Sequence, residues 1–205
     1  MKIKNFMDNT IPTESLDKSF TEILKTDEWK IAQDDFNNSQ NIFIIGNGGN
    51  LAVADHGAVD ITRLSTKLAH APGSGILATS IISDSSFKDW FSNWLNAHTN
   101  IMDSTSICKC MVIGISSSGT AHNIVNCLEN ASKKGMKSLM ISARKSKEVI
   151  NENYNSVQIG TDFYHTGEVV SLMLMYQLIH GSGGVCPSIS NKLNSGSFDR
   201  LVKNK

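Results

Sequence analysis

Residues 111–120, MVIGISSSGT, join a short apolar run to a turn made of glycine and hydroxyl residues. The stretch at residues 42–50, IFIIGNGGN, has the same arrangement. A short apolar run that ends in turn residues is typical of a buried strand in a parallel sheet. Helical patterns follow both turns, so each stretch predicts a strand that passes through a tight turn into a helix.

This alternation of strand and helix continues along the chain. Short strands separated by helices of about ten to fifteen residues indicate βαβ units, and hence a parallel sheet covered on both faces. We therefore predict an α/β fold, a three-layer α/β/α sandwich with a central parallel sheet. The predicted strands are residues 42–45, 76–82, 111–115, 138–142 and 156–159, and the predicted helices are residues 51–64, 88–98, 121–134, 145–151 and 166–180.

The two ends of the chain differ in composition from this central part. Residues 1–40 are polar, and their apolar residues are spaced three to four positions apart, which predicts an N-terminal helical extension. We place the main domain at residues 41–185. Residues 186–205 are rich in glycine, serine and asparagine, which predicts an irregular C-terminal tail.

The composition narrows the class of protein. A chain of 205 residues, of which 40% are hydrophobic, has the size and apolar content of one compact core. Nineteen basic residues balance nineteen acidic ones, so the cationic excess that drives binding to nucleic acids or anionic membranes is lacking. The sequence also lacks a signal peptide and any apolar run of about 18 residues. We expect a cytoplasmic protein that binds neither nucleic acid nor membrane.

The two turns differ from the common nucleotide-binding motifs. The first lacks the third glycine of a dinucleotide-binding turn, because Leu51 stands there, and the second lacks the lysine of a P-loop. Backbone amides at a helix start, with four hydroxyl side chains in the second turn, are suitable donors to phosphate oxygens. Together the turns predict a site for a small phosphorylated ligand. The alternative for each is a tight turn without a ligand.

These motifs carry a resemblance to a known family. GNGGN at residues 46–50 with His56 and Asp60 after it, GISSSG at residues 114–119 and KGMKSLMIS at residues 134–142 resemble the sugar isomerase (SIS) domain. The resemblance is to the bacterial phosphoheptose isomerases in particular. It implies an SIS fold and the isomerisation of sedoheptulose 7-phosphate to an aldoheptose 7-phosphate through an enediol.

The resemblance assigns substrate-binding residues one by one. Three consecutive serines match the family's phosphate-binding loop, Thr120 stands where the family usually has asparagine, and Asn50 replaces its substrate-contacting serine. Ala121 replaces a further serine of the family, and two aspartates fall on family aspartates that line the sugar site. The implied substrate and phosphate residues are Asn47, Gly48, Asn50, Asp84, Ser116, Ser117, Ser118, Thr120 and Asp162.

The resemblance also implies a proton-transfer and metal set. In the family, a glutamate on the first helix and a histidine on the last transfer protons, and these two residues bind zinc with a second histidine and a glutamine in several members. His56 falls on the second histidine, Asp60 on the glutamate and His165 on the glutamine, whereas Met173 falls on the catalytic histidine. Glu168, on the same predicted helix, is a candidate replacement. The implied catalytic residues are Asp60, His165 and Glu168. The implied ligands of a divalent metal such as zinc are His56, Asp60, His165 and Glu168. The alternative is that these four are ordinary polar residues of a substrate cleft.

The predicted function is a phosphoheptose-type isomerase for a lipopolysaccharide precursor, acting as a homotetramer with active sites shared between subunits. Two alternatives stay open at this point. Met173 and Ala121 favour a non-catalytic module that binds a sugar phosphate. Asn50 and the short segment between Asp60 and Asp84 favour an isomerase of another ketose phosphate.

Overall fold

A five-stranded parallel sheet forms the centre of the molecule, which is a computed structural model describing residues 11, 16–73 and 75–186. The strand order is β2-β1-β3-β4-β5, and every neighbouring pair is parallel. This confirms the predicted α/β fold. The strands are β1 (Asn41–Gly46), β2 (Leu68–His70), β3 (Cys110–Ser116), β4 (Lys137–Ser142) and β5 (Asn155–Gln158).

Helices cover both faces of the sheet. They are α1 (Leu16–Ile23), α2 (Asp27–Asn38), α3 (Gly49–Leu64), α4 (Gly75–Asp84), α5 (Trp90–Thr99), α6 (Ser104–Ile107), α7 (His122–Lys133) and α8 (Tyr164–Gly181), with a 3-10 helix at Lys147–Val149. Successive strand side chains point to opposite faces, so Ile42 and Ile44 pack with α3 and α8 while Phe43 and Ile45 pack with α5 and α7. The predicted three layers are therefore present.

The chain changes direction between β1 and β3. From β1 it crosses through α3 to β2 at one edge of the sheet, and from β3 it crosses through α7 to β4 on the other side. The two central strands are in register up to Gly46 opposite Ile115, so the turns that follow them leave the sheet side by side. Such a switch point leaves a crevice at the carboxyl ends of the strands, which is where open α/β sheets bind ligands.

The prediction of a strand at residues 76–82 is wrong. These residues belong to α4, and the edge strand next to β1 is the shorter β2. Ala78, Ile81 and Ile82 share one face at helical spacing and pack against the cluster that contains Trp94 of α5. A short apolar run fits a strand or a helix equally well by periodicity, and here packing against α5 decides for the helix.

The predicted N-terminal helical extension is confirmed for residues 16–38, where α1 and α2 pack beside α8 and β5. Thr26 caps α2 by accepting a hydrogen bond from the Trp29 amide over 3.2 Å. The buried Lys67 ammonium donates to the carbonyl oxygens of Ser39, over 2.6 Å, and Asn37, over 3.1 Å. The extension is therefore fastened to the strand layer at the end of α2. Most of the predicted tail, residues 187–205, lies outside the described residues.

In the described part of the chain, no helix combines the length and the apolar character needed to span a membrane.

Candidate functional site

The two predicted ligand turns meet at the switch point. Asn50 Nδ2, in the first turn of α3, donates to Ser117 Oγ after β3 over 3.1 Å. Asn47, after β1, exchanges a pair of amide hydrogen bonds with the buried Asn123 of α7, over 3.0 and 2.9 Å. Gly48 is exposed and lies at the N-cap of α3. The structure thus brings Asn47, Gly48 and Asn50 into one polar crevice with the serine loop, residues 116–120.

The hydroxyls of the serine loop have different surroundings. Ser116 is buried, and its Oγ accepts a hydrogen bond from the Gly119 amide over 3.0 Å. Ser118 is exposed, and its Oγ accepts from the amide and the hydroxyl of Thr120, over 3.2 and 3.1 Å. The loop leads into α7, whose N-terminus has no side-chain cap because its N-cap residue is Ala121. Ser116 therefore shapes the loop, while Ser118, Thr120 and the first amides of α7 are left for an anion.

An open cleft continues from this loop across the carboxyl ends of β4 and β5. It consists of two adjoining cavities of about 440 and 240 Å³ that share Ser118, Arg144, Thr161 and Asp162. The Arg144 amide donates to the Ser117 carbonyl over 2.9 Å, and its guanidinium Nε lies 3.5 Å from Asp162 Oδ1. Asp162 therefore borders the same cleft as Ser118. A separate cavity of about 420 Å³ at the β5 edge of the sheet is lined by none of the predicted site residues.

The Glu168 carboxylate lies against the start of α3. A Cβ added to Gly49 would overlap Glu168 Oε1, so a larger residue there would displace the carboxylate from its present position. In the described residues Glu168 has no hydrogen-bond or ion-pair partner. The positive end of the α3 dipole favours a carboxylate at this position. Glu168 is therefore a free carboxylate next to the turn that carries Asn47 and Asn50.

His56, Asp60 and Tyr176 form a second polar cluster, farther along α3 and α8. Asp60 is 7% exposed, and its Oδ2 lies 2.5 Å from the Tyr176 hydroxyl and 3.1 Å from His56 Nε2. Arg63 lies 3.3 Å from the other carboxylate oxygen. Burial, followed by the hydrogen bond to Asp60, raises the pKa of Tyr176 to about 12, so the phenol keeps its proton. Both oxygens of Asp60 are therefore engaged.

The predicted metal cluster of His56, Asp60, His165 and Glu168 does not form in one chain. Among residues 16–73 and 75–186, no three His, Cys, Asp or Glu side chains come together so as to hold a metal ion. Tyr176, which meets His56, is eight residues after Glu168, or about 12 Å along a helix at 1.5 Å per residue. His165 lies earlier still and packs beside Phe163, with ring centroids 5.6 Å apart. These donors do not fit a zinc site within the chain.

The sequence did not indicate two of the residues in these clusters. Arg144 lies in the cleft and follows β4 in the sequence. Because the carboxyl ends of parallel strands share one edge, its position just after a strand is the signal that could have identified it. Tyr176 belongs to an apolar run that reads as a buried helix, so its contact with Asp60 depends on how α8 packs on α3. Asp84, which was predicted to line the sugar site, is exposed at the end of α4.

Comparisons with known proteins agree with this architecture. No protein-family model matches the chain. The phosphoheptose isomerase of Thermodesulfovibrio yellowstonii is 28% identical over 122 residues, which are 57% of each protein. The phosphoheptose isomerase GmhA from Neisseria gonorrhoeae superposes with a TM-score of 0.70 at 18% identity, over 82% of this chain and 91% of that one. The fold is that of a sugar isomerase (SIS) domain, and the sequence is similar to phosphoheptose isomerases.

This SIS domain also superposes on the Vibrio vulnificus NanR protein complexed with ManNAc-6P, with a TM-score of 0.58 at 14% identity. The superposition covers 93% of this chain and 65% of that one. At these identities the structural likeness establishes the fold alone. The chain matches a little over half the length of its Thermodesulfovibrio relative, so its activity has to be argued from its own site.

Proposed function

We propose that this SIS domain is a sugar-phosphate isomerase that interconverts sedoheptulose 7-phosphate and an aldoheptose 7-phosphate through an enediol. The observation that carries the proposal is the placement of the Glu168 carboxylate, which lies against Gly49 and has no hydrogen-bond or ion-pair partner among residues 16–73 and 75–186. The similarity to phosphoheptose isomerases supports the substrate class.

The phosphate would bind at the start of α7. Ser118 and Thr120 present their hydroxyls there, and the uncapped amides of α7 add the positive end of a helix dipole. Arg144 borders the same cleft and supplies a positive charge that the serine loop lacks. A phosphate dianion on these groups would gain charge-assisted hydrogen bonds, which are stronger than neutral ones.

The sugar would extend from the phosphate toward the crevice between β1 and β3. Asn50 donates to Ser117 in the unliganded chain, and a substrate oxygen can take the place of that hydroxyl as acceptor. Asn47 and Gly48 line the same turn, and Asp162 borders the cleft from the side of β5. These assignments, with Asp84, follow the family resemblance.

Glu168 is the base in this proposal. Its carboxylate removes the proton from the carbon beside the ketose carbonyl, which leaves an enediol, and then returns the proton to the former carbonyl carbon. The hydroxyl proton of the first carbon passes to the oxygen of the second, so that the product is the aldose. Asp60 is a less suitable base, because Tyr176, His56 and Arg63 already engage its oxygens.

A second candidate function is sugar-phosphate binding without catalysis. Met173 occupies the place of the family's catalytic histidine, and a thioether cannot transfer a proton. The chain resembles in fold the NanR protein, which was solved complexed with ManNAc-6P, and this likeness supports a binding role. A third candidate is an isomerase of another ketose phosphate. It is favoured by Asn50, which stands where the family has its substrate-contacting serine.

One experiment separates the three candidates. The purified chain is incubated with sedoheptulose 7-phosphate and with a panel of hexulose and pentulose phosphates, and both binding and product formation are followed. Turnover of sedoheptulose 7-phosphate alone supports the proposal, and turnover of another ketose phosphate supports the third candidate. Saturable binding without turnover of any substrate would support the non-catalytic binding module and contradict both isomerase candidates. A Glu168→Gln variant is the matched control, since it keeps the size of the side chain.

The assembly and location are also proposals that rest on the resemblance. We propose a cytoplasmic homotetramer with shared active sites that serves a lipopolysaccharide precursor. Light scattering on the purified chain tests the tetramer directly, and a stable monomer that turns over substrate would contradict shared sites.

A further inference from the structure

The Tyr176 hydroxyl contacts both atoms that a metal ion would bind at this place, His56 Nε2 and Asp60 Oδ2. His56 Nε2 and Asp60 Oδ2 are 3.1 Å apart, and the hydroxyl oxygen lies 2.5 Å from Oδ2 and 3.3 Å from Nε2. The two ring planes meet edge to face, with an interplanar angle of 79°. A single hydroxyl group of α8 thus contacts two side chains of α3.

A zinc ion would need the same two atoms and more. Zinc binds imidazole nitrogen and carboxylate oxygen at about 2.0–2.2 Å, and its sites use at least three protein ligands. Here the carboxylate oxygen that faces His56 accepts a hydrogen bond from the Tyr176 hydroxyl, and the Arg63 guanidinium lies beside the other oxygen. In the described residues no third ligand of the usual kinds joins the pair.

Tyr176 is the residue of α8 that contacts this pair, and Met173 precedes it by three positions. Residues three apart on a helix are neighbours on its surface, so a side chain at 173 approaches the same region. Neither residue is a histidine. The described surroundings of His56 and Asp60 include the Tyr176 phenol, the Arg63 guanidinium and the Cys186 thiol, which donates to the Tyr176 carbonyl over 3.6 Å. Burial, followed by the charge of Asp60, raises the pKa of this thiol, and the thiol does not complete a metal-binding group with the pair.

We propose that the Tyr176 hydroxyl takes the place of a metal ion in this chain, and that it links His56 and Asp60 through hydrogen bonds. The linkage fastens α8 to α3 farther along both helices than the turn at residues 46–50. Tyr176 is thus a positioning residue that acts through Asp60. The inference concerns metal binding and does not depend on the isomerase activity.

Zinc titration of the chelator-treated protein tests the proposal by calorimetry. We expect no saturable binding to the unaltered chain at micromolar zinc. The double variant Met173→His, Tyr176→Phe removes the hydroxyl and supplies a third ligand, and we expect it to bind one zinc per chain at least about 100-fold more tightly than the unaltered chain. A further His56→Ala change should abolish that binding, whereas His122→Ala, an exposed histidine on α7, should leave it intact.

Two outcomes would overturn the proposal. One is stoichiometric zinc binding by the unaltered chain that His56→Ala abolishes. The other is a folded double variant, shown by its circular dichroism and cooperative thermal unfolding, that binds zinc no better than the unaltered chain. Tyr176→Phe alone gives a second measurement. It should lower the melting temperature and raise the KM or lower the kcat of any turnover, and added zinc should restore neither.

Discussion

The Glu168 carboxylate lies against Gly49, with Oε1 in the space that a Cβ on this glycine would occupy. Gly49 therefore has a different role from the glycines of a dinucleotide-binding turn, which let the backbone approach a pyrophosphate. It makes room for a carboxylate of α8 at the first turn of α3. The substrate turn and the proposed base are in this way fitted to each other.

Replacing Gly49 by alanine should displace the Glu168 carboxylate. We expect kcat to fall about 100-fold, as for catalytic groups misplaced by about 1 Å, while the affinity for inorganic phosphate stays unchanged. Gly75→Ala is the control, because nothing lies within 4 Å of the added atom there. Equal kcat values for Gly49→Ala and the unaltered chain would remove Glu168 from the reaction.

The serine loop should separate into a structural and a binding residue. Ser116→Ala leaves the buried Gly119 amide without its acceptor, so we expect the free energy of unfolding to fall by about 1–2 kcal/mol. Ser118→Ala should leave stability within about 0.5 kcal/mol and weaken phosphate binding. Urea unfolding and phosphate calorimetry on both variants measure the two effects. A reversal of the two patterns would mean that the loop is assigned wrongly.

Arg144 should contribute to phosphate affinity. Arg144→Gln removes the guanidinium from the cleft, and we expect inorganic phosphate to bind about 10-fold more weakly, equal to about 1.4 kcal/mol. Lys133→Gln, at the far end of α7, makes the same change in net charge away from the site. If both variants weaken binding equally, only net charge matters, and Arg144 has no place in the phosphate site.

The central strands of the fold could be predicted because their apolar runs are continuous and are bounded by turn residues. β1, β3 and β4 all lie within a residue or so of their predicted bounds. The edge strand β2 escaped prediction, since Leu68–His70 is too short to give a pattern and is held by pairing with β1. Residues 76–82 were misassigned because a short apolar run fits a strand or a helix, and packing against α5 decides for the helix.

The site could be predicted in the turns and less well on the helices. Asn50 and Ser117 lie in turns whose residue types already indicate an anion, and the switch point brings them together. Asp60 and Glu168, by contrast, depend on the pairing of α3 with α8, which no local pattern contains. Sequence spacing gave the face of each helix but not its height along the neighbouring helix, and the four predicted ligands were therefore grouped wrongly.

The free energy of unfolding should decrease as the pH is lowered through the range where histidine titrates. Burial, and then the nearby His98, lower the pKa of His70, which is stacked on Phe43 with ring centroids 5.3 Å apart. Below the unfolded value of 6.5 the unfolded chain therefore binds more protons than the folded chain, so the free energy of unfolding decreases as pH falls. His70→Phe keeps the stack and removes the proton site. Its melting temperature should change less than that of the unaltered chain between roughly pH 7.5 and 5.5, and an equal change would contradict the assignment.

Hydrogen exchange at the reacting carbon tests the central claim most directly. Sedoheptulose 7-phosphate is incubated in heavy water with the unaltered chain or with Glu168→Gln, and the proton signal of the hydroxymethyl carbon beside the carbonyl is followed by NMR. We predict that the unaltered chain exchanges this proton while aldose forms, and that Glu168→Gln does so at least about 100-fold more slowly while still binding the substrate. Saturated substrate binding without exchange, or a variant as fast as the unaltered chain, would contradict the account.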